Sequence, residues 1–197
     1  MQIDGFDIIA PGLSPEPWSQ AQALGCVTWL WMHSAAHRDT PLHGLPTLLM
    51  PALLSRQFVV ATLSDRPIFY MSWAMLSEEA EGRYLRNSPI LMPQADWTSG
   101  DRMWITDWVA PFGHTSQMSK MILRQLMPHS CMRSLNHHGG DPEREGLRVN
   151  TFRGRLVSRR DAREWWQARP LATNIETSPH QQEQSVTALG QKIAGTP

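Results

Sequence analysis

The sequence predicts an α+β domain in which a central, mostly antiparallel sheet carries helices on its faces. Two strand-like stretches, residues 58–63 and 68–75, flank the turn sequence Ser-Asp-Arg-Pro, which is the signature of a β-hairpin. A third β-favouring stretch spans residues 103–110 and ends at Pro111. Segments with helical periodicity lie before, between and after these strands. Hairpins mixed with helices are typical of the α+β class.

Length and composition fit one domain with a core of its own. The chain has 197 residues, 41% of them hydrophobic, and its 18 basic residues balance 18 acidic ones. Because the formal charges cancel, no broad field attracts nucleic acid, and we expect no nucleic-acid partner. Two distant cysteines, Cys26 and Cys131, argue against both a disulfide framework and a CxxC metal site.

The ends of the chain differ from its middle. Prolines in residues 1–19 predict an extended N-terminal arm, residues 20–170 are the predicted domain, and residues 171–197, poor in large apolar side chains, predict a disordered tail. The first residues lack the basic and apolar regions of a signal peptide, and no apolar run approaches the ~20 residues of a membrane span. We therefore expect a cytoplasmic protein that does not span a membrane.

In the first half of the domain, helix signals surround the hairpin. Apolar residues recur at helical spacing over residues 20–33. Residues 44–54 are apolar and helical, and Pro51 should kink or end that helix. After the hairpin, a helix is predicted over residues 77–87, because Ser77 suits the N-cap and acidic residues follow it.

The second half continues the mixed pattern. Residues 89–97 predict an irregular connection, and residues 115–126 a helix. Strands are expected over residues 130–135 and 147–152, around a turn-rich segment. The last predicted element is a short helix over residues 158–168.

Asp107 is unusual within the third strand. If side chains alternate regularly, Asp107 shares a face with Met103 and Ile105, and Trp104 and Trp108 pack on the opposite face. Both faces are largely apolar, and a carboxylate on such an inner strand needs a partner. Hydrogen bonds from backbone amides would make Asp107 structural, whereas an imidazole or a cation from elsewhere would make it functional.

Histidine is the natural partner for this aspartate, and the chain has eight. His137 and His138 adjoin in a Gly-rich loop, but no third ligand stands at metal-site spacing, so we expect no metal. His37 follows the first predicted helix, with Ser34 before it and Arg38 after it. Catalytic residues often lie on loops beside rigid elements, and His37 has such a setting. Without further information, the sequence around His37 favours an ordinary exposed histidine.

Glycine-rich nucleotide-binding loops and the nucleophile elbow of serine hydrolases are missing from the sequence. It contains no GxGxxG after a strand, no GxxxxGK[ST] and no GxSxG. The loop of spaced glycines that binds the pyrophosphate of acetyl-CoA is also not visible. We therefore expect no permanently bound cofactor.

Three tryptophan-rich blocks stand in order along the chain. They are LGCVTWLWMHSAAHRD at residues 24–39, PIFYMSWAML at 67–76 and WTSGDRMWITDWVAPFG at 97–113. In their residues and their spacing they resemble the RTX toxin-activating lysine acyltransferases, which activate haemolysins and adenylate cyclase toxin. The likeness covers roughly residues 20–155.

The resemblance implies a fold, an activity and a set of residues. The fold would be N-acetyltransferase-like and the protein a homodimer. The activity would be transfer of a fatty acyl group from acyl carrier protein, where phosphopantetheine holds the chain, to internal lysines of an RTX protoxin. The essential histidine of the family matches His37, its catalytic aspartate matches Asp107, and a serine important in the family aligns with Ser34. A carrier-protein donor agrees with the missing pyrophosphate loop.

The resemblance also suggests a mechanism. His37 would accept the lysine proton, Asp107 would bind the other imidazole nitrogen, and backbone amides or the Ser34 hydroxyl would stabilise the oxyanion. A covalent acyl-histidine or acyl-serine route stays open. Arg38 and Arg102 are candidates for contact with the acidic carrier protein, against the simpler view of solvated surface charge. Arg102 is alternatively placed to brace the turn at the residue before it.

The chain also departs from the family. Thr40 stands where the family commonly has tryptophan, and Met71 where it has cysteine. Two other functions therefore stay open. One is a non-catalytic relative that binds a toxin or a carrier protein, and the other is an acyl-CoA-dependent N-acyltransferase, which the missing pyrophosphate loop opposes.

Overall fold

A computed structural model describes residues 1–135 and 148–173, which form one seven-stranded sheet with helices on both faces. The strands are β1 (Gln2–Ile3), β2 (Phe6–Ile9), β3 (Phe58–Leu63), β4 (Arg66–Leu76), β5 (Arg102–Val109), β6 (Cys131–Leu135) and β7 (Val149–Arg153). The α-helices are α1 (Gln20–Met32), α2 (Leu45–Leu48), α3 (Met50–Leu54), α4 (Glu78–Arg86), α5 (Thr115–Met121) and α6 (Arg159–Ala168).

The strands follow one another across the sheet in chain order. Every neighbouring pair is antiparallel except β5 and β6, which run parallel. The predicted α+β class and the mostly antiparallel sheet are thus confirmed, and the arrangement is consistent with an N-acetyltransferase-like fold. In the part of the chain that the structure describes, no helix is long and apolar enough to cross a membrane.

The N-terminus contains a hairpin in place of the arm predicted for residues 1–19. Asp4 and Gly5 both have positive φ, 51° and 83°, and form the tight turn between β1 and β2. Phe6 and Ile8 alternate along β2 and are buried in the core, and β2 pairs with β3. An Asp-Gly pair between apolar residues favours such a turn, so the local signal for the hairpin was present in the sequence.

Most of the predicted helices lie where their periodicity places them. Ser19 accepts a hydrogen bond from the Gln22 amide and caps α1, and Ser77 does the same for α4. The helix predicted over residues 44–54 is divided into α2 and α3, as expected from Pro51. The helix predicted over residues 115–126 begins as α5, but its second part, Ile122–Leu126, is a π-helical turn.

Strand β5 contains an extra residue relative to β4. Ser72 of β4 pairs with Asp107, whereas the next residue, Trp73, pairs with Ile105, so Thr106 has no counterpart. This β-bulge inverts the alternation of side chains beyond Ile105. The predicted grouping of Asp107 with Ile105 on one face is therefore wrong.

The two faces of the sheet can be named after the helices that cover them. On the α5 face, Met103 and Ile105 belong to the hydrophobic cluster that includes Met118 and Met121 of α5. Trp108 packs against the same cluster. On the α1 face, two smaller clusters contain residues of α1 and α4.

Because of the bulge, the two tryptophans expected on one face of β5 lie on opposite faces. Trp104 is in a cluster of the α1 face, whereas Trp108 packs on the α5 face. Asp107 pairs with Ser72 and lies, like Trp104, on the α1 face. The bulge thus turns Asp107 towards the segment that follows α1.

Pairing between β5 and β6 stops half-way along β5. It runs through Trp104 with Arg133 and Ile105 with Ser134. Beyond Ile105, the ladder of β5 continues only with β4. A gap therefore opens in the sheet between the second half of β5 and the end of β6.

A buried ionic cluster ties α4 to β5 and β6. The carboxylate of Glu81 accepts hydrogen bonds from Trp104 Nε1 at 2.7 Å, Arg133 Nη1 at 2.8 Å, Arg102 Nη1 at 2.6 Å and the Ala172 amide at 3.1 Å. Glu81 is completely buried, and Arg102 and Arg133 are nearly so. Each acidic oxygen therefore has two donors, which compensates for its removal from water.

The same cluster binds the start of the predicted tail. Arg102 also donates to the Pro170 carbonyl at 2.6 Å, Arg133 donates to the Arg169 carbonyl, and Ala172 is buried. The remainder of the predicted tail, residues 174–197, lies outside the described residues. So do the adjoining histidines at 137 and 138.

We expect Glu81→Ala to lower the free energy of unfolding by about 3–5 kcal/mol, because it removes the buried carboxylate that Arg102 and Arg133 share and leaves Arg102 paired with the exposed Glu78. Glu164→Ala is the matched control, since Glu164 pairs with Arg160 on the exposed surface of α6. That substitution should change the free energy of unfolding by less than about 0.5 kcal/mol. Urea unfolding of the three proteins measures both values, and equal losses in the two variants would contradict a structural role for the cluster.

Candidate active site

Helix α1 fixes the segment that carries the candidate histidine. Ala23, Val27, Leu30 and Trp31 recur at helical spacing and are buried against β3 and β4, which holds the helix on the sheet. The helix ends at Met32, and two tight turns follow. The amides of residues 37 and 38 donate to the carbonyl of residue 34, and the amide of residue 40 donates to that of residue 37.

Ser34, His37 and Asp107 form a hydrogen-bonded chain. His37 Nε2 lies 3.1 Å from Asp107 Oδ1, and His37 Nδ1 lies 2.9 Å from Ser34 Oγ. Both imidazole nitrogens are therefore engaged, one by a carboxylate and the other by a hydroxyl. The side chains of His37 and Asp107 are 23% and 15% exposed, so the pair is largely removed from water but reachable.

Asp107 receives two further hydrogen bonds that hold its carboxylate in place. The Trp108 amide donates to Oδ1 at 2.9 Å, and Trp31 Nε1 donates to Oδ2 at 3.2 Å. The sequence left open whether Asp107 binds backbone amides or an imidazole, and in the structure it binds both. Together these contacts fix the orientation of the carboxylate.

Trp31 contacts both members of the histidine–aspartate pair. Besides its hydrogen bond to Asp107, its ring stacks on the His37 imidazole with centroids 4.9 Å apart and planes at 29°. Sequence periodicity marks Trp31 as a buried residue of α1, and the structure adds its two contacts. We assign it a positioning role, since it limits how both side chains can turn.

Polar groups from β4 and β5 lie next to the pair. Ser72 Oγ and Thr106 Oγ1 are 2.8 Å apart, across the bulge. Tyr70 is fully buried, and burial together with the nearby Asp107 carboxylate raises the pKa of its hydroxyl far above the ordinary value. The phenol therefore stays protonated and uncharged.

A cavity of about 730 Å³ extends from the histidine–aspartate pair through the gap in the sheet. This volume is in the range of small-molecule sites. Near the pair the cavity is bordered by Trp31, Thr40, Ser72 and Thr106. Its remaining walls are mostly apolar: Leu48, Tyr84, Met92, Trp97, Ile105, Trp108, Ile122, Leu123, Met132, Leu135 and Phe152.

Comparison with known proteins gives this arrangement a family. The family model described as the RTX toxin acyltransferase family matches residues 16–153. The chain belongs to the RTX toxin acyltransferase family. This confirms the resemblance found in the three sequence blocks.

Its named relatives in this family act on lysine. The protein-lysine myristoyltransferase HlyC of Escherichia coli is 37% identical over 138 residues, which are 70% of this chain and 78% of that protein. The protein-lysine palmitoyltransferase CyaC of Bordetella bronchiseptica is 35% identical over 156 residues, 78% of this chain and 81% of that protein. The leukotoxin-activating lysine-acyltransferase LktC of Mannheimia haemolytica is 36% identical over 141 residues, with coverages of 71% and 81%.

The region shared with the RTX toxin acyltransferase family contains the whole hydrogen-bonded chain. Ser34, His37 and Asp107 all lie within residues 16–153, whereas α6 lies beyond them. The structure thus brings together three of the five residues selected from the sequence. Thr40 borders the cavity beside them.

The two selected arginines are in different surroundings. Arg38 adjoins His37 in the chain, and its side chain is 63% exposed, with Asp39 at 3.7 Å. The Arg102 guanidinium is buried in the Glu81 cluster, so it is not a surface charge available to a carrier protein. It does not brace Asp101 by a hydrogen bond either, because Asp101 binds Arg169. The sequence gives no sign of this burial, since an arginine beside a turn normally lies at the surface.

Proposed function

We propose that this chain is a protein-lysine acyltransferase that transfers a fatty acyl group from acyl carrier protein to internal lysines of an RTX protoxin. The observation that carries the proposal is the Ser34–His37–Asp107 chain at the head of a largely apolar cavity. The cavity suits a hydrocarbon chain, and the hydrogen-bonded chain suits proton transfer at a carbonyl. The names of the relatives, myristoyl- and palmitoyltransferases of lysine, support the same reaction.

Proton transfer from the lysine is the first requirement of this reaction. A lysine side chain has an ordinary pKa of about 10.4 and is almost wholly protonated at neutral pH, whereas only the free amine attacks a thioester. Since Asp107 binds Nε2, the nitrogen of His37 available to accept a proton is Nδ1. The carboxylate fixes this tautomer and stabilises the imidazolium that forms.

Ser34 occupies the position next to that basic nitrogen. With neutral His37 protonated on Nε2, the Ser34 hydroxyl donates to Nδ1 and has no proton left for an oxyanion. We therefore favour two roles for Ser34 over the oxyanion role expected from the sequence. It either relays the lysine proton to His37, or it attacks the thioester itself and carries the acyl group.

The direct reaction balances without any further reactant. The lysine ammonium first loses one proton to solvent, which leaves the neutral ε-amine. This amine then gives a second proton to His37 as its nitrogen forms a bond to the thioester carbonyl carbon, and the carbon–sulfur bond breaks. The departing thiolate takes the proton from the imidazolium. The products are an amide on the lysine, the free thiol of the carrier protein and His37 in its starting state.

The oxyanion needs a donor that is not otherwise used. In the hydroxyl pair of Ser72 and Thr106, one hydroxyl donates to the other, and the second proton remains available. Both residues border the cavity beside Asp107. We assign the oxyanion contact to this pair, because both hydroxyls border the cavity beside the histidine–aspartate pair.

The donor is proposed to be a carrier protein because a site for the pyrophosphate of coenzyme A is not evident. The connection from β5 to α5, residues 110–114, contains a single glycine at 113, and α5 has no side-chain cap. The exposed Arg38 beside His37 is available for an acidic carrier protein. A homodimer remains a prediction from the family resemblance, and a cytoplasmic location remains a prediction from the sequence.

We expect His37→Ala to lower the transfer rate by about 10²–10⁴-fold, the usual contribution of a general base, with little change in folding. The assay incubates the enzyme with acyl-loaded carrier protein and a candidate protoxin and follows the intact mass of the protoxin. His43→Ala is the matched control, since His43 is exposed in a short turn. Normal acylation of the protoxin by the His37 variant would refute its assignment as the base.

Asp107→Asn should lower transfer by a similar factor of about 10²–10⁴, because the amide preserves shape but loses the charge that stabilises the imidazolium. An amide group that donates to Nε2 would also favour the opposite tautomer, with the proton on the nitrogen that should accept. The intact-mass assay measures the rate, and circular dichroism checks the fold. Wild-type activity would leave Asp107 with a structural role only.

Ser34→Ala separates the two roles of the serine. If Ser34 carries the acyl group, wild-type enzyme incubated with acyl-loaded carrier protein alone should gain the mass of one acyl chain, and Ser34→Ala should not. If Ser34 is a relay, neither protein gains mass, and the variant transfers more slowly. An acylated Ser34→Ala enzyme that keeps full transfer would exclude both roles.

A further inference from the structure

The cavity has two branches, one on each side of the gap in the sheet. The α1-side branch is lined by side chains that belong to or pack against the clusters of the α1 face: Leu48, Tyr84, Met92, Trp97 and Leu135. The α5-side branch is lined by side chains of the α5 face and of α5 with its π-helical extension: Ile105, Trp108, Thr115, Ser119, Ile122, Leu123, Met132 and Phe152. The histidine–aspartate pair lies on the α1 face, beside the gap in the sheet.

The α5-side branch has a polar mouth. Thr115 is exposed and Ser119 is half-buried, and their spacing of four residues places both hydroxyls on the same face of α5. Trp108 adds a buried indole N–H that has no partner among the described residues. This branch therefore offers donors and acceptors along a route that reaches solvent.

The α1-side branch is built mainly from buried apolar side chains. Tyr84, Met92 and Trp97 are 4%, 6% and 4% exposed. The Tyr84 ring packs edge-on against Trp104, with centroids 5.5 Å apart. The polar groups of this branch are the Tyr84 hydroxyl and the Trp97 indole N–H, and none of its five lining side chains is a serine or a threonine.

An acyl thioester has two arms of opposite chemistry that leave the reacting carbonyl in different directions. One arm is a hydrocarbon chain, whose burial is worth about 0.8 kcal/mol per methylene. The other arm contains amides and ends at the carrier protein, which stays outside. The α1-side branch, which has no serine or threonine, suits the hydrocarbon arm. The α5-side branch, with its two hydroxyls and the exposed Thr115, suits the amide-containing arm.

We propose that the α1-side branch binds the fatty acyl chain and that Met92, one of its lining side chains, sets the length of chain accepted. The α5-side branch then remains for the amide-containing arm. This inference rests on the proposed acyl transfer, and it deepens that proposal by naming the residue that selects the substrate. A chain too long for the α1-side branch cannot place its carbonyl at His37.

The test compares octanoyl-, dodecanoyl- and hexadecanoyl-loaded carrier protein as donors for wild-type enzyme and variants. Met92→Trp shortens the branch and should lower the ratio of hexadecanoyl to octanoyl transfer by about 10-fold or more, the scale on which apolar pockets reject extra methylenes. Met92→Ala lengthens the branch and should move the ratio the other way. The pair of variants keeps the test valid if one of them folds poorly.

Leu123→Trp is the matched control on the α5 side. It should lower transfer from all three donors by the same factor, because it obstructs the arm they share. If Leu123→Trp changes the chain-length ratio and Met92→Trp does not, the acyl chain lies on the α5 side and the inference is overturned. Unchanged ratios in folded Met92 variants also overturn it, whereas absence of transfer by wild-type enzyme from every donor would refute the proposed function itself.

Discussion

The extra residue in β5 is the constraint on which the candidate site depends. Without Thr106 as a bulge, regular alternation would place Asp107 on the α5 face together with Ile105, among methionines and away from His37. With the bulge, the carboxylate points to the α1 face, where the turns after α1 present the imidazole at 3.1 Å. A change of one residue in the pairing register therefore decides whether Asp107 is an isolated buried charge or part of a hydrogen-bonded chain.

Rigidity around the pair follows from where its partners are anchored. Asp107 is held from its own strand by the Trp108 amide and from α1 by the Trp31 indole, which also stacks on His37. Trp31 is itself fixed by the packing of α1 on β3 and β4. The orientation of the imidazole is thus set by the core of the domain, and only the Nδ1 side, next to Ser34, faces a group that can exchange a proton.

The sequence predicted the elements of this fold better than the geometry of its site. Helix α1, the β3–β4 hairpin and the caps at Ser19 and Ser77 depend on neighbouring residues, so periodicity and turn chemistry were sufficient for them. The bulge depends on how two strands about thirty residues apart are paired, which no local pattern encodes. The β1–β2 turn at Asp4 and Gly5 had a local signal, but the nearby prolines outweighed it in the prediction.

Burial of charge was equally hard to predict from sequence. Helix α4 is rich in charged residues, as exposed helices are, but Glu81 on its inner side is completely buried because two arginines from separate strands meet it. These contacts join residues that are far apart in the chain, so no local pattern predicts them. They also place Arg102 in the buried cluster and not in the candidate site. The pairing of His37 with Asp107 was found through likeness to a family, since seventy residues of chain separate them.

The bulge and the buried cluster together explain why the cavity passes through the sheet. Arg102 on β5 and Arg133 on β6 both bind Glu81, which holds these two parallel strands together at the end where their ladder begins. A bulge increases the local twist of a strand, and beyond Ile105 the second half of β5 follows β4 away from β6. Strands that are fixed at one end and diverge at the other leave a wedge-shaped opening. The opening therefore needs both the bulge and the Glu81 cluster. Without the cluster, β5 and β6 would lose their common anchor. Without the bulge, the two strands could stay paired past Ile105 and close the passage.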